Sequence, residues 1–322
     1  MLFSVLLVVP AAVGLIRPRH ASGGVRQDES DRRPLEKLCD CEREQQVLQG
    51  NCGEFRGTIA KIRTANDTFK MAVRRKQHDA MSHAILVDGA WEVRSPEDIA
   101  RLGNADPSSV LPPSDGVFLD VGANQGYFSF LFASYGYRVY AVEPMTQNRR
   151  AIATTMCANH ASHPEWRRQI TVFATAVAAS EMTCMLIAGI ATQGNGYMEC
   201  TGIRNYGRDL VYSAHERPRR CSELSAAQVG RCEEVPARPL DAILAEARIS
   251  RVDVAKVDIE GFECEAFRGG KSLFKKLRPR LILVEAQHPG VLNCTHRLAR
   301  RHGYAVSAKA GAWGNVVLVR RD

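Results

Sequence analysis

The chain has 322 residues, which is enough for one large domain with a flanking segment. Its apolar fraction of 45% is that of a protein with a buried core and excludes an intrinsically disordered chain. The formal charge of +8 is moderate and is interpreted as spread along the chain. Arginine clusters at 216–220 and 297–302 are not interleaved with aromatic residues, so the sequence predicts no nucleic-acid partner.

The N-terminus begins with an uncharged, mostly apolar segment at residues 1–16, followed by Arg17, His20 and Arg26. This segment is shorter than the roughly 20 residues that span a membrane, and it is typical of the apolar region of a secretory signal. We expect a signal peptide or a short signal anchor, which would attach the chain to a membrane. The predicted localisation is the secretory pathway, in the ER or Golgi lumen, membrane-anchored or secreted.

Cysteines and glycosylation motifs agree with secretion. All 10 cysteines lie beyond the apolar segment, and an even number is compatible with disulfides in an oxidising compartment. The triplets that start at Asn66 and Asn293 match the acceptor motif for N-linked glycans, which predicts a glycoprotein. The pairing of the cysteines does not follow from their spacing.

The chain divides into a leader and three further parts. Residues 17–57 read as a polar, cysteine-containing linker, and residues 58–110 as a small β-rich flank. The breaker at 111–116 marks the start of a main domain that extends to residue 322. The flank contains predicted β-like runs at 58–62, 69–74 and 84–89 and a predicted helix at 96–102.

From residue 117 onward, apolar runs of strand length alternate with helical segments, which predicts an α/β fold with a doubly wound parallel sheet. The last two strands are joined by a short turn and predict an antiparallel hairpin at the sheet edge. Residues 182–234 read as an insertion, pinned by disulfides of Cys200, Cys221 and Cys232. The predicted strands are 117–122, 138–144, 170–178, 252–261, 280–286, 304–308 and 315–320, and the predicted helices are 125–136, 146–160, 240–248, 262–277 and 291–302.

The turn after the first of these strands, in "FLDVGANQGYFSF", is the main candidate for a binding site. Ligands of doubly wound sheets bind at the carboxyl ends of the strands. A dinucleotide site would need G-x-G-x-x-G, and a carboxylate at Asp120 would repel a pyrophosphate. That carboxylate suits the cationic α-amino end of S-adenosylmethionine, and Gly122 and Gly126 would keep side chains clear of it.

Residues at the ends of the next strands extend this prediction. Glu143 ends the second strand at the distance expected for an acid that binds ribose hydroxyls. Ala176 and Val177 end the third strand, where an adenine ring would pass. Asp258 ends the fourth strand, with Glu260 over the same crevice.

Five segments in the same order resemble the FkbM family of S-adenosylmethionine-dependent methyltransferases: "FLDVGANQGYFSFLFASYG", "RVYAVEP", "PARPLDAIL", "VAKVDIEGFECEAFRGG" and "RPRLILVEAQ". The resemblance covers roughly residues 89–319 and is weakest at 182–234. It implies a class I methyltransferase with a Rossmann-like sheet that methylates a hydroxyl of a sugar or another small molecule. It also implies a cofactor loop at Asp120, Gly122, Ala123, Asn124 and Gly126, a ribose acid at Glu143 and a fourth-strand acid at Asp258.

A methyltransferase that acts on an alcohol gains from a general base. The candidates are Asp258, Glu260, Glu285 and His288. Asp258 and Glu260 have an alternative role as acids at the start of the next helix, and His288 has one as a loop histidine. Trp91 would cover the cofactor or pack in the core. No cluster has metal-ligand spacing, so no metal is predicted.

Two other classes of function remain open from the sequence. One is a catalytically inactive, secreted Rossmann-like binding module, which would have no reason to keep Asp120, Gly122, Glu143 and Asp258 together. The other is a nucleotide-dependent oxidoreductase, which the missing G-x-G-x-x-G disfavours. The partner expected for the enzyme is a small-molecule or glycan acceptor.

Overall fold

A computed structural model describes most of the chain beyond its N-terminal region. The residues described are 55, 57–75, 79–110, 115–189, 196–201, 203, 220–224, 230–308 and 314–321. The predicted leader, most of the predicted linker and most of the breaker at 111–116 lie outside these residues. Within the described ranges, no helix is long and apolar enough to cross a lipid bilayer.

The described residues form strands and helices that alternate through the second half of the chain. The strands are β1 (Thr58–Arg63), β2 (Thr68–Val73), β3 (Val117–Val121), β4 (Arg138–Val142), β5 (Ile170–Phe173), β6 (Ala176–Val177), β7 (Met182–Ala188), β8 (Gly196–Glu199), β9 (Arg231–Arg238), β10 (Val254–Val257), β11 (Leu281–Glu285), β12 (Tyr304–Val306) and β13 (Asn315–Arg320). The helices are α1 (Ala80–Asp88), α2 (Pro96–Leu102), α3 (Tyr127–Ser134), α4 (Thr146–Ala158), α5 (Trp166–Gln169), α6 (Leu240–Glu246), α7 (Glu263–Gly269) and α8 (Pro289–His302).

The main sheet has seven strands in the order β12-β13-β11-β10-β3-β4-β5. The strands from β11 to β5 are parallel, whereas β13 is antiparallel to both β11 and β12. Chain order reverses between β3 and β10, so the carboxyl ends of these two strands lie side by side. A crevice at such a reversal point is where open α/β sheets bind ligands.

A second, four-stranded sheet in the order β6-β9-β7-β8 stands beside the main one. Residues 170–178 do not form the single strand that the sequence predicts, and the region predicted as an insertion at 182–234 contains strands in its described parts. The run breaks after Phe173, and Ala176 and Val177 pair with β9 instead. Strands β7, β8 and β9 then form antiparallel pairs that bury Leu186 and Met198.

The flank differs from the sequence prediction at 84–89, which is helical and not a β-like run. The α1 helix begins at Asp79, whose carboxylate accepts a hydrogen bond from the Ser82 backbone N–H at 2.8 Å. It ends at Gly89, which has a φ of 67°. The two capping residues therefore favour a helix here, although the β-branched residues of the segment favour a strand. The flank packs directly on the main domain, because Phe69 of β2 contacts the Trp166 ring at a centroid distance of 5.3 Å.

The predicted helix at 262–277 is interrupted in the structure. The α7 helix stops at a glycine pair, and a separate helical turn follows at Leu273–Leu277. A Cβ on Gly269 would lie 2.3 Å from the backbone oxygen of Ala178. Only glycine permits this close approach of the helix end to β6, so the break is a packing requirement.

Disulfides join Cys184 to Cys200, Cys221 to Cys232 and Cys264 to Cys294. The first two pairs confirm that disulfides of Cys200, Cys221 and Cys232 pin the region at 182–234. The third pair connects α7 to α8. Cys39, Cys41 and Cys52 lie outside the described residues.

We expect removal of the Cys264–Cys294 bond to lower the free energy of unfolding by about 3–4 kcal/mol, because it closes a loop with a sequence separation of 30. The double variant Cys264→Ala/Cys294→Ala, compared with the wild type in urea unfolding, measures this loss. The matched control is Cys221→Ala/Cys232→Ala, whose sequence separation of 11 predicts a smaller loss. Equal stability of the wild type and the first variant would contradict the assignment.

Candidate active site

A cleft opens over the carboxyl ends of β3, β4, β10 and β11, at the reversal point of the main sheet. Its volume is about 1020 Å³, including the solvent-filled mouth. This position is that of a site for a small organic ligand. Most of the residues predicted as site residues line it: Gly122, Ala123, Asn124, Glu143, Ala176, Val177, Asp258, Glu260 and Glu285.

The turn after β3 is built on glycines with positive φ. Gly122 has a φ of 84°, and a Cβ there would lie 1.8 Å from the backbone oxygen of Asp258. Gly126 has a φ of 91° and precedes the first residue of α3, where a Cβ would lie 2.9 Å from Ile152. Gly126 does not line the cleft. The first glycine therefore lets β3 and β10 meet, and the second lets the chain enter the helix.

Four backbone N–H groups of this turn donate to acceptors within the protein. Those of Gly122 and Ala123 donate to the Val142 oxygen at 2.9 and 3.1 Å, and that of Asn124 donates to Glu143 Oε2 at 2.8 Å. The Gly126 N–H donates to the Ala123 oxygen at 2.9 Å. A pyrophosphate site needs free backbone N–H groups at this turn. The geometry therefore disfavours a dinucleotide here, as the sequence predicted from the missing glycine motif.

Glu143 lies at the end of β4 with its carboxylate between the turn and the cleft. Oε2 accepts from Asn124, and Oε1 accepts from the Met145 N–H at 2.8 Å and the Asn148 side-chain amide at 3.1 Å. A carboxylate has about four acceptor positions, so about one remains for a ligand. The sequence predicts that Glu143 accepts hydrogen bonds from both ribose hydroxyls, which is more than this arrangement allows. Burial raises the pKa of Glu143 to about 7, against the opposing effect of these hydrogen bonds.

Asp120 differs most from its predicted role. Its side chain is fully buried, does not line the cleft, and accepts a hydrogen bond from Ser129 Oγ at 2.6 Å. Burial raises its pKa, although Lys256 and Ser129 act in the opposite direction. Direct contact between Asp120 and a ligand amine was therefore a wrong prediction for this geometry. The carboxylate lies beneath the turn because the side chains of a strand alternate in direction.

Lys256 connects these elements, and the sequence analysis did not select it. It lies opposite Asp120 in the register of β3 and β10, and it lines the cleft. Its Nζ donates to the Gly122 oxygen at 3.1 Å and lies 2.9 Å from Asp258 Oδ2 and 3.9 Å from Asp120 Oδ1. Burial alone would lower the pKa of Lys256, but attraction to Asp258 and Asp120 raises it above its usual value. A buried lysine within the apolar run "VAKV" was the available signal.

Three of the four predicted bases come together at the other end of the cleft. One carboxylate oxygen from each of Asp258, Glu260 and Glu285 lies within 4.8 Å of the others. Burial raises the pKa of Glu285, and so do repulsion from Asp258 and Glu260 and a hydrogen bond to Asp258. This spacing also matches the geometry of a divalent-cation site, which the sequence did not predict.

The loop that carries Asp258 and Glu260 is held by Glu263, a further residue that the sequence analysis did not select. Glu263 is fully buried, and its Oε1 accepts from the backbone N–H groups of Ile259 at 2.9 Å and Gly261 at 3.3 Å. Burial raises its pKa to about 8. The turn reverses at Glu260 and Gly261, which have φ values of 54° and 96°. This geometry fixes where the carboxylate of Glu260 can lie.

The remaining predicted residues have mixed outcomes. His288 precedes α8 and is not among the described residues that line the cleft, so geometry does not support it as a base. Trp91 both lines the cleft and packs against the core, which combines its two predicted roles. Gln125, which the sequence analysis passed over, is fully buried and donates to Asp79 Oδ2 at 2.8 Å. It therefore ties the turn to the flank.

Comparisons with known proteins find a matching family and one curated relative. The family described as "Methyltransferase FkbM domain" matches residues 120–304, more than half of the chain. The AMB antimetabolite synthetase AmbE of Pseudomonas aeruginosa is 28% identical over 229 residues, which is 63% of this chain and 10% of AmbE. The chain therefore spans about a tenth of the length of that curated relative.

Two solved structures are also similar. Methyltransferase FkbM of Methylobacillus flagellatus KT is 16% identical with a TM-score of 0.42, and the match covers 66% of this chain and 46% of that one. A precorrin-6y C5,15-methyltransferase of Geobacter metallireducens GS-15 is 13% identical with a TM-score of 0.34, and the match covers 72% and 93%.

Proposed function

Since this chain belongs to the FkbM methyltransferase family, we propose that it is an S-adenosylmethionine-dependent methyltransferase that methylates a hydroxyl of a sugar, a glycan or another small molecule. The single observation that carries this proposal is that one cleft has carboxylates at two separate places. Glu143 lies beside the turn, and the cluster of Asp258, Glu260 and Glu285 lies at the opposite end. A donor site and an acceptor site would thus adjoin at the reversal point of the sheet.

The donor end has the chemistry of a nucleoside site. When bound, S-adenosylmethionine supplies a methyl group on a sulfonium, which is a good leaving group. Glu143 has an acceptor position left for a ribose hydroxyl, and Ala176 and Val177 offer apolar surface to an adenine ring. The engaged N–H groups of the turn suit a cofactor without phosphate at this position. Lys256 connects this end to the acceptor end, because its Nζ donates to the Gly122 oxygen and lies 2.9 Å from Asp258 Oδ2.

The acceptor end is acidic. Glu92, Asp258, Glu260 and Glu285 line it, and Lys256 is already paired with Asp258. Among the described residues that line the cleft, the one lysine or arginine is therefore already paired and does not attract an anionic acceptor, whereas the carboxyl groups offer hydrogen-bond acceptors to several hydroxyl groups. We therefore propose a neutral, hydroxyl-rich acceptor, for which the Trp91 ring at the same cleft supplies an apolar surface.

Asp258 is the base that we propose for the acceptor hydroxyl. Its partner Glu285 has a raised pKa and keeps its proton at neutral pH, so it donates to Asp258 and cannot itself accept a proton. Lys256 holds Asp258 Oδ2 at 2.9 Å and so orients the carboxylate. A positioned carboxylate of this kind contributes a factor of about 10²–10⁴ in rate.

We further propose that the protein works in an oxidising compartment of the secretory pathway. Three disulfides within the described residues support this, because such bonds are rare in reducing compartments. Asn66 and Asn293, which begin the two glycosylation motifs, are both exposed. Trypsin digestion with and without glycosidase, followed by mass spectrometry of the secreted chain, tests this assignment.

The cofactor assignment is tested by calorimetric titration of the full chain with S-adenosylmethionine, S-adenosylhomocysteine and NAD. We expect saturable binding of the first two and none of NAD. Binding of NAD alone would favour the oxidoreductase. A folded protein that binds none of the three would favour the inactive binding module.

The same titration should depend on pH. Because burial raises the pKa of Glu143 to about 7, the carboxylate is ionised above that pH and protonated below it. If ribose binding needs the ionised form, the affinity for S-adenosylmethionine should be about tenfold weaker at pH 6 than at pH 8. Glu143→Gln is the matched control, and its weaker binding should not change over this range. An equal pH dependence in both proteins would exclude Glu143 as its source.

A further inference from the structure

The positive charge of this chain is not spread along it, contrary to the interpretation from the sequence. Residues 271–322 contain 11 Lys and Arg but 2 Asp and Glu, whereas the other 270 residues contain 32 and 33. The last part of the chain therefore carries the whole net positive charge. Charge asymmetry of this kind suggests a surface that interacts with a polyanion.

The fold gathers these cations at one end of the main sheet. Lys275 and Lys276 lie in the helical turn before β11, Arg300 and Arg301 lie in the last turn of α8, and Arg321 follows β13. With Arg278, we call these six residues the basic end. All six are exposed.

Contacts between the three elements show that the basic end is one continuous surface. The Phe274 and His302 rings stack at a centroid distance of 5.3 Å, which joins the helical turn to α8. The Arg321 N–H donates to the Gly303 oxygen at 2.9 Å, and Arg320 Nη1 donates to the Arg278 oxygen at 2.8 Å.

Three cations of the basic end, Arg301, Lys275 and Arg278, act on one side chain, His302. Burial, and then repulsion from Arg301, Lys275 and Arg278, lowers the pKa of His302. In the part of the chain that the structure describes, the ion pairs involve none of the six residues. Exposed cations that are close together and outside these ion pairs repel one another, and a polyanionic partner would relieve that repulsion.

The basic end is separate from the cleft. Strand β11 starts at Leu281 beside the basic end and finishes at Glu285 in the cleft. A strand of this length spans roughly 15 Å. A large partner on the basic end would therefore leave the acidic cleft open to its own ligand.

We propose that the basic end is a docking surface for an acidic polysaccharide, one that carries sulfate or carboxylate groups. Val87, on α1, is the single exposed large apolar side chain among the described residues. As far as the structure describes it, the surface thus lacks both the aromatic platform that binds single-stranded nucleic acid and the apolar wedge that enters a membrane. Disulfides indicate an oxidising compartment, whereas the strongly anionic membrane leaflet faces the cytoplasm. An acidic polysaccharide is the polyanion that such a compartment presents.

The test measures binding of the full, disulfide-bonded chain to immobilised heparin at about 0.15 M salt. The variant Lys275→Ser/Arg300→Ser/Arg301→Ser removes three cations of the basic end. The matched control Arg63→Ser/Lys70→Ser/Arg168→Ser removes three exposed cations elsewhere and lowers the net charge by the same amount. We expect about 100-fold weaker binding for the first variant and less than about threefold for the control.

Several outcomes would overturn the proposal. These are no binding of the wild type to heparin, equal losses in both variants, and tighter binding to duplex DNA or to phosphatidylserine vesicles than to heparin at the same salt concentration. Thermal melting and S-adenosylmethionine titration of each variant show whether it is folded. If the first variant does not fold, the milder Arg300→Ser/Arg301→Ser should still bind heparin at least tenfold more weakly than the wild type.

Discussion

Replacing Lys256 by methionine is expected to lower the free energy of unfolding by roughly 3–5 kcal/mol, the cost of leaving a buried charge without its partner. Asp120 is fully buried, and Lys256 is the cation opposite it in the sheet register. The variant also loses the hydrogen bond to the Gly122 oxygen, so the turn should bind S-adenosylmethionine more weakly. Urea unfolding and calorimetric titration measure the two effects.

The charge on Asp120 is the stated cause, and two comparisons test it. The double variant Lys256→Met/Asp120→Asn should recover much of the lost stability, because the buried charge is then absent as well. The loss in Lys256→Met should also shrink as the pH falls. Burial raises the pKa of Asp120 and Lys256 opposes that rise, so without Lys256 the folded variant binds this proton more tightly than the folded wild type does, and acid favours folding of the variant more. Lys61→Met, which replaces an exposed lysine of β1, should change stability by less than about 0.5 kcal/mol. A loss as small as that in Lys256→Met would contradict the buried ion pair.

The second large effect is expected in catalysis, where Asp258→Asn should lower kcat by about 10²–10⁴-fold. The asparagine has the same shape but cannot take the proton of the acceptor hydroxyl. Glu285→Gln is the matched control in the same cluster. Its amide can still donate to Asp258, as the protonated Glu285 does, so we expect less than about a tenfold loss. Release of S-adenosylhomocysteine with the best acceptor from a panel of neutral glycans measures both.

The reverse order, with the larger loss in Glu285→Gln, would assign the base to Glu285. Activity in the presence of EDTA separates proton transfer from a divalent ion held by the same three carboxylates. If EDTA abolishes turnover in the wild type and added Mg²⁺ restores it, the cluster is a metal site and Asp258 is one of its ligands.

Much of this protein could be predicted from its sequence, because the relevant signals are local. Apolar runs alternate with helical segments from residue 117 onward, and this periodicity predicts a parallel sheet and the edge at which its ligand binds. Gly122, Glu143 and Asp258 follow strands, so their presence at the cleft could be predicted from the strand ends alone. The capping residues Asp79 and Gly89 could also have predicted the α1 helix, although its apolar composition resembles that of a strand.

Other features depend on the tertiary structure, because they arise between segments distant in sequence. Asp120 is a buried carboxylate beneath the turn and not a surface group. It is paired there because β3 lies beside β10, which brings Lys256 to it. The path of the chain after Phe173 is decided by pairing with β9, more than 60 residues later. The basic end likewise needs α8, β13 and the turn before β11 to meet. Strand order and helix packing fix which side chains become neighbours, and those neighbours determine charge, protonation and accessibility.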